Sequence, residues 1–365
     1  MKYIPALDGL RALAVILVIL FHAGTPFFAA GFLGVDIFFV LSGYLITGLL
    51  LKEYTQQQTI KIRPFYIRRA LRLMPALMLH LIAYILIVPL LLPETSFQSH
   101  LIDAGLTALY VTDYSRAFWD RPPGLSHTWS LSVEQHFYLI CPWLLLLLLR
   151  RYSVAKLPMV LLISYAFALF WRWAWLNSGQ TWDEVYHRFD TRITGLLLGI
   201  TLAFILQYEK EFTRFLKPFF LITITVPLIV IFLRLLLFKA NDQTMLAFFT
   251  THYRWNDRWM LTWGITFTEW GTVAIILAIL NKGKMNTLFS SPPLVWLGRL
   301  SYSLYLWHYP VIMYLGVIAG YHWTVVLLIG LPMSLLFAMI SYYGIEQWGQ
   351  KLRRVIPPQK SRNQT

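Results

Sequence analysis

Apolar stretches of about 20 residues recur along the chain, "LPMVLLISYAFALFWRWAWL" and "FFLITITVPLIVIFLRLLLF" among them. As a helix, each is long enough to cross the roughly 30 Å hydrocarbon core of a bilayer. Backbone inside that core must satisfy its own N–H and C=O groups, which leaves helices and closed barrels. Alternating ten-residue barrel segments are absent, so the chain reads as an all-α, polytopic transmembrane bundle. Composition agrees: 58% of residues are hydrophobic and 13% charged, too little polar surface to cover a soluble globule.

In order, the apolar runs predict ten spans, near residues 11–30, 33–51, 74–92, 131–149, 157–176, 191–208, 219–238, 259–280, 294–317 and 324–344. A further stretch, "SHLIDAGLTALY", is short and contains His100 and Asp103, which suits a re-entrant or interfacial helix. The net charge of +14 comes from basic residues concentrated in short loops, such as "RRYSVAK" and "QKLRR". That is the bias of cytosolic loops rather than a nucleic-acid surface, and counted over ten spans it places both termini in the cytosol. Residues 1–350 then form one transmembrane domain and 351–365 a short basic cytosolic tail, with the longest outer loop from Pro93 to Ser130. The single cysteine, Cys141, lies in an apolar run, which excludes an intramolecular disulfide and a Cys-based zinc site; no metal is expected.

Ionisable groups within spans are costly and point to function. Arg11 and His22, at the two ends of "RALAVILVILFH", are eleven residues apart; a helix brings them onto one face within about 20°, about 16 Å apart along the axis. Such a face suits a long anionic ligand entering from the cytosol, with its charged end on Arg11 and its reactive end near His22. Asp36, in "GFLGVDIFFVLSGYLIT", reads as the partner of a cation or a helix terminus inside the bundle, whereas Ser42 and Gly43 read as small residues for close helix contact. Arg68, Arg69 and Arg72 cluster in "RPFYIRRALRLMPAL", with Arg68 and Arg72 one turn apart; they serve as topological anchors or as phosphate donors. Pro75 marks the start or a kink of the next span.

"HTWSLSVEQHFYLICP" brings His127, Glu134 and His136 to the point where the outer loop re-enters the membrane. Glu134 either meets His22 and orients the imidazole, or pairs with a bundle arginine such as Arg299. Asp190 and Arg192 in "RFDTRITGLLLG", and Arg299, Tyr305 and His308 in "LGRLSYSLYLWHYPV", complete the candidates.

Taken together, these motifs in this order resemble the acyltransferase-3 family of integral membrane O-acyltransferases, in particular bacterial O-antigen and surface-polysaccharide (lipopolysaccharide) acetylases. The resemblance covers nearly the whole chain. It implies a bundle of about ten helices in the bacterial inner membrane, an essential Arg11–His22 pair, and acyl-CoA handling by the Arg68, Arg69 and Arg72 region. It further implies acetyl-CoA as donor, with no metal, and a glycan or lipid-linked glycan as acceptor on the other face. Two departures stand out: Gln135 follows Glu134 where relatives often carry a second glutamate, and Gln347-Trp348 replaces a common proline. Without an appended soluble esterase-like domain, transfer is expected within the membrane domain or through a separate acyl-accepting protein. The expected chemistry has His22 as general base on a sugar hydroxyl, Glu134 orienting it, and an acyl-histidine route left open. The alternative from the same residues is a transporter or flippase that uses Asp36, Glu134 and His22 as a proton or substrate relay, though no inverted repeat is visible.

Overall fold

The computed structural model describes residues 3–26, 28–208 and 260–355. All regular structure among the described residues is helical. In chain order the helices are α1 (Pro5–His22), α2 (Gly34–Gln57), α3 (Ile62–Leu91), α4 (Phe97–Ala108), α5 (Thr112–Trp119), α6 (Trp129–Arg151), α7 (Leu157–Asn177), α8 (Trp182–Tyr186), α9 (Phe189–Arg192) and α10 (Thr194–Gln207). They continue with α11 (Ile265–Leu280), α12 (Lys284–Phe289), α13 (Pro292–Met313) and the composite α14 (Trp323–Leu352). Seven described segments are long and apolar enough to cross a membrane; α10 is apolar but shorter. The expected span at 219–238 lies outside the described residues.

Two local boundaries, the end of α1 and the start of α3, differ from the sequence reading. α1 ends at His22, short of residue 30, because Gly24 adopts φ +67° and closes the helix. Thr25 N–H donates to Leu20 O and Gly24 N–H to Phe21 O, the paired bonds that a left-handed glycine makes at a helix C-terminus. α3 begins at Ile62 rather than near residue 74, and Pro75 and Pro89 lie inside it. It is therefore about 45 Å long, and Arg68, Arg69 and Arg72 belong to the helix itself. The segment at Phe97–Ala108 is a 12-residue helix, about 18 Å, too short to cross.

Close helix contact is made through small residues. On α13, a Cβ at Gly298 would fall 1.8 Å from the Asp8 carbonyl oxygen of α1, and on α10 one at Gly199 would fall 2.2 Å from Val40 O of α2. These approaches lay α1 against α13 and α2 against α10. The outward faces of the outer helices are apolar, as with Leu139, Trp143 and Leu147 on α6 and Ile163, Phe167 and Phe170 on α7.

Buried charges tie the bundle together. Asp36 accepts from Arg192 Nη2 at 2.8 Å, with both side chains shut off from solvent. Arg172 stands 4.0 Å from Glu269 and donates to Thr194 Oγ1, while Tyr165 OH and Thr194 Oγ1 donate to Glu269. Arg192 lies over the Tyr186 ring, 4.5 Å from its centroid. Asp36 and Arg192 therefore belong to an internal ion-pair network.

Candidate active site

A cavity of about 670 Å³ opens between α1, α2, α3, α6, α13 and α14. Tyr3, Ile4, Asp8, Arg299, Tyr342, Glu346 and Gln350 all line it, so the first described residues and α14 meet at one end of the bundle. Tyr3 OH donates to Asp8 Oδ2 at 2.6 Å and accepts from Arg299 Nη2 at 2.9 Å. Burial, and then Asp8, pushes the Tyr3 phenol above its ordinary value.

Deeper in, Arg11, Arg69 and Arg72 converge on the cavity from α1 and α3. Arg11 also approaches Asp8 Oδ1 at 3.7 Å, one turn back on the same helix. Arg69 stacks on Tyr138, its guanidinium 5.2 Å from the ring centroid. Arg68 does not line the cavity and approaches Glu53 at 3.8 Å instead. The helix phase is decisive here: residues i and i+3, Arg69 and Arg72, share the inner face, which spacing at i and i+4 did not single out.

Glu134 lines the middle of the cavity. Its Oε1 accepts from Ser42 Oγ at 2.6 Å and its Oε2 from Tyr138 OH at 3.0 Å. The expected contact with His22 is therefore not made, and the alternative with Arg299 is not made either, since Arg299 holds Tyr3 and Asp8. Ser42, read from sequence as a packing residue, is the nearer donor to Glu134. Tyr138 was missed, although it lies four residues on from Glu134 on the same helix face.

Tyr305, Ser130 and Phe38 line the cavity. Tyr305 OH donates to the His127 carbonyl at 2.8 Å and stands 2.7 Å from Ser130 Oγ, and its ring meets Phe38 edge-on with centroids 6.5 Å apart. None of the described histidines lines the cavity. His22 Nδ1 stands 3.1 Å from His308 Nε2, and His308 Nδ1 stands 2.7 Å from Tyr305 O. His127 stacks on Tyr309 at 4.6 Å and meets His308 at 5.7 Å, and His80 meets His127 at 6.0 Å and Trp307 at 5.0 Å. His80 was not anticipated, because its surrounding sequence is an ordinary apolar span. His308 is fully buried whereas His22 is partly exposed. Among the described residues no set of three or more His, Cys, Asp or Glu side chains is grouped to hold a metal.

Asp190 sits apart, accepting from Arg188 Nε at 2.9 Å and from Trp171 Nε1 at 2.7 Å. Nearby, His187 is packed against Trp129 and Tyr186. Burial, with Arg116 and Arg192 adding to it, pushes His187 down to about 3.

The sequence that builds this cavity and histidine pair matches one known family. Residues 4–343 match the acyltransferase domain family. The chain belongs to the acyltransferase-3 family. It is 35% identical to O-acetyltransferase OatA of Staphylococcus aureus strain MRSA252 over 381 residues, covering 99% of this chain and 60% of that protein. Against O-acetyltransferase OatA of strain NCTC 8325 it is 36% identical over 362 residues, covering 94% of this chain and 57% of that protein. The chain thus spans about three fifths of the length of these family relatives. No solved structure matches it.

Proposed function

We propose that this family member is a membrane O-acetyltransferase that moves acetyl from cytosolic acetyl-CoA to a hydroxyl of a cell-surface glycan or lipid-linked glycan precursor. In this reading it lies in the bacterial inner membrane with both termini in the cytosol. The observation that carries the reading is the cavity into which Arg11, Arg69 and Arg72 converge at the end of the bundle where Tyr3 and Gln350 meet. Guanidinium groups bind phosphates through several donors at once, so the nucleotide phosphates sit on Arg69, Arg72 and Arg11. Further in, Glu134 is held by Ser42 and Tyr138. Each carboxylate oxygen keeps acceptor capacity beyond the one bond it receives, which suits the amide N–H groups of the pantetheine arm.

The thioester then enters between Phe38 and Tyr305, towards His22. As general base, His22 takes the proton of the acceptor hydroxyl as its oxygen attacks the thioester carbonyl. The C–S bond breaks, and the same proton returns from His22 to the CoA sulfur, so that ester and free thiol form with no net proton change. The partial exposure of His22 leaves room for the acceptor.

The test is the initial rate of radiolabelled acetyl transfer from acetyl-CoA to glycan in membranes at matched protein levels. Arg69→Ala and Arg72→Ala each raise KM for acetyl-CoA about tenfold or more, the value of one charge-assisted hydrogen bond. Arg68→Ala changes it less than about twofold, and His22→Ala lowers kcat about 1,000-fold, leaving a residual rate. Transfer near the wild-type rate in His22→Ala, or equal KM effects of Arg68 and Arg69, would overturn the scheme.

A further inference from the structure

We propose that His308 is the positioning residue that fixes the tautomer of His22 and leaves His22 Nε2 as the basic atom. The inference rests on the reading of His22 as general base and adds the group that makes it one. The hydrogen-bond chain has a fixed direction because it ends on a backbone carbonyl. Tyr305 O can only accept, so the 2.7 Å contact places a proton on His308 Nδ1. With one proton per ring, His308 Nε2 then carries a lone pair. At 3.1 Å it accepts from His22 Nδ1, so the His22 proton sits on Nδ1 and Nε2 is left bare. In metal and triad sites the same logic holds: the partner of one ring nitrogen decides the role of the other.

Local sequence accounts for the geometry at both ends. On α13, the His308 imidazole reaches back three residues along the helix to Tyr305 O. On α1, Gly24 stops the helix directly after His22, which leaves His22 in its last turn. Aromatic rings pack against His308: His127 at 5.7 Å, Tyr305 at 5.3 Å and Tyr309 at 6.3 Å. No carboxylate hydrogen-bonds either His22 or His308 among the described residues. The role that Asp or Glu plays beside a catalytic histidine elsewhere thus falls here to a second imidazole. When His22 Nε2 takes the hydroxyl proton, its Nδ1–H can shift towards His308 Nε2, and the charge is shared between two rings. The Tyr305 carbonyl cannot carry a proton onward, so the proton stays in the pair and returns through His22 to the leaving sulfur.

Two variants and two readouts test this. His308→Gln places an amide oxygen near the position of Nε2 and still accepts from His22 Nδ1, whereas His308→Phe fills the space with no acceptor. In the acetyl-transfer assay His308→Phe is expected to lower kcat about 100-fold, within the range of acid–base contributions, with KM for acetyl-CoA unchanged within about twofold. His308→Gln is expected to recover to within about tenfold of wild type. The double variant His22→Ala/His308→Phe should be no slower than His22→Ala, because His308 acts only through His22. The second readout needs no acceptor: carbethoxylation of His22 by diethyl pyrocarbonate, followed by peptide mass spectrometry on solubilised protein. Its rate falls in His308→Phe and recovers in His308→Gln. Equal losses in the Phe and Gln variants, additive loss in the double variant, or an unchanged modification rate would overturn the positioning role. Activity near the wild-type rate in His22→Ala would instead remove the general-base reading on which it rests.

Discussion

Asp36→Ala should destabilise the fold without touching donor binding. In the wild type, Asp36 Oδ1 accepts from Arg192 Nη2 at 2.8 Å and both side chains are buried. Arginine does not deprotonate in proteins, so the variant strands a guanidinium that has no other carboxylate hydrogen-bonded to it among the described residues. The rings of Tyr186 at 4.5 Å and Trp129 at 5.4 Å remain, but they are present in both proteins and offset nothing. Breaking a buried pair from one side costs about 3–5 kcal/mol. At roughly 2 °C per kcal/mol, the lower end for long chains, that is a fall of about 6–10 °C. The assay is thermal unfolding of detergent-solubilised protein followed by fluorescence-detected size exclusion. Removing both charges, as in Asp36→Leu/Arg192→Met, should cost less than Asp36→Ala, because no charge is left unpaired. KM for acetyl-CoA should not change, since neither residue lines the cavity. Melting of Asp36→Ala within about 2 °C of wild type, or a double variant less stable than the single one, would refute the reasoning.

Ser42→Ala removes the 2.6 Å donor to Glu134; a bond to a carboxylate is worth about 1.5–3 kcal/mol, so kcat/KM should fall about tenfold or more in the acetyl-transfer assay and recover in Ser42→Thr. His187 gives a pH signature: its folded value of about 3 lies below the ordinary 6.5 because of burial, so the folded state disfavours the protonated ring. The stability it contributes is full above about pH 6.5 and is lost as pH falls towards 3; between pH 7.5 and 5.5 the loss is about 1.4 kcal/mol. A melting-temperature series in His187→Gln should lack that component of the acid slope, and an identical slope in both proteins would count against it.

Periodicity alone made several elements legible. Twenty-residue apolar runs leave helices as the only economical way to cross a bilayer, and eleven residues between Arg11 and His22 put a cation and an imidazole on one face of α1. Where chain geometry is set locally, sequence also carried the signal that was overlooked: "HAGTP" ends α1 through a left-handed Gly24, although hydrophobicity alone extended the span to residue 30. Of the two readings of Pro75, a span start or a kink within a span, the start does not hold, because α3 continues through it from Ile62.

The helical membrane architecture and the residue types available for chemistry are thus legible in the chain alone, since both follow from spacing and from the cost of burying charge. Partners come from packing. Ser42 and Tyr138, rather than His22, hold Glu134; Arg69 rather than Arg68 faces the cavity; Arg192 answers Asp36 from 156 positions away, and His308 answers His22 from 286. A helix fixes the angle of each side chain about its own axis, but which neighbour that angle meets depends on how helices pack, and packing here is set by close approaches at Gly298 and Gly199 far from the groups they bring together.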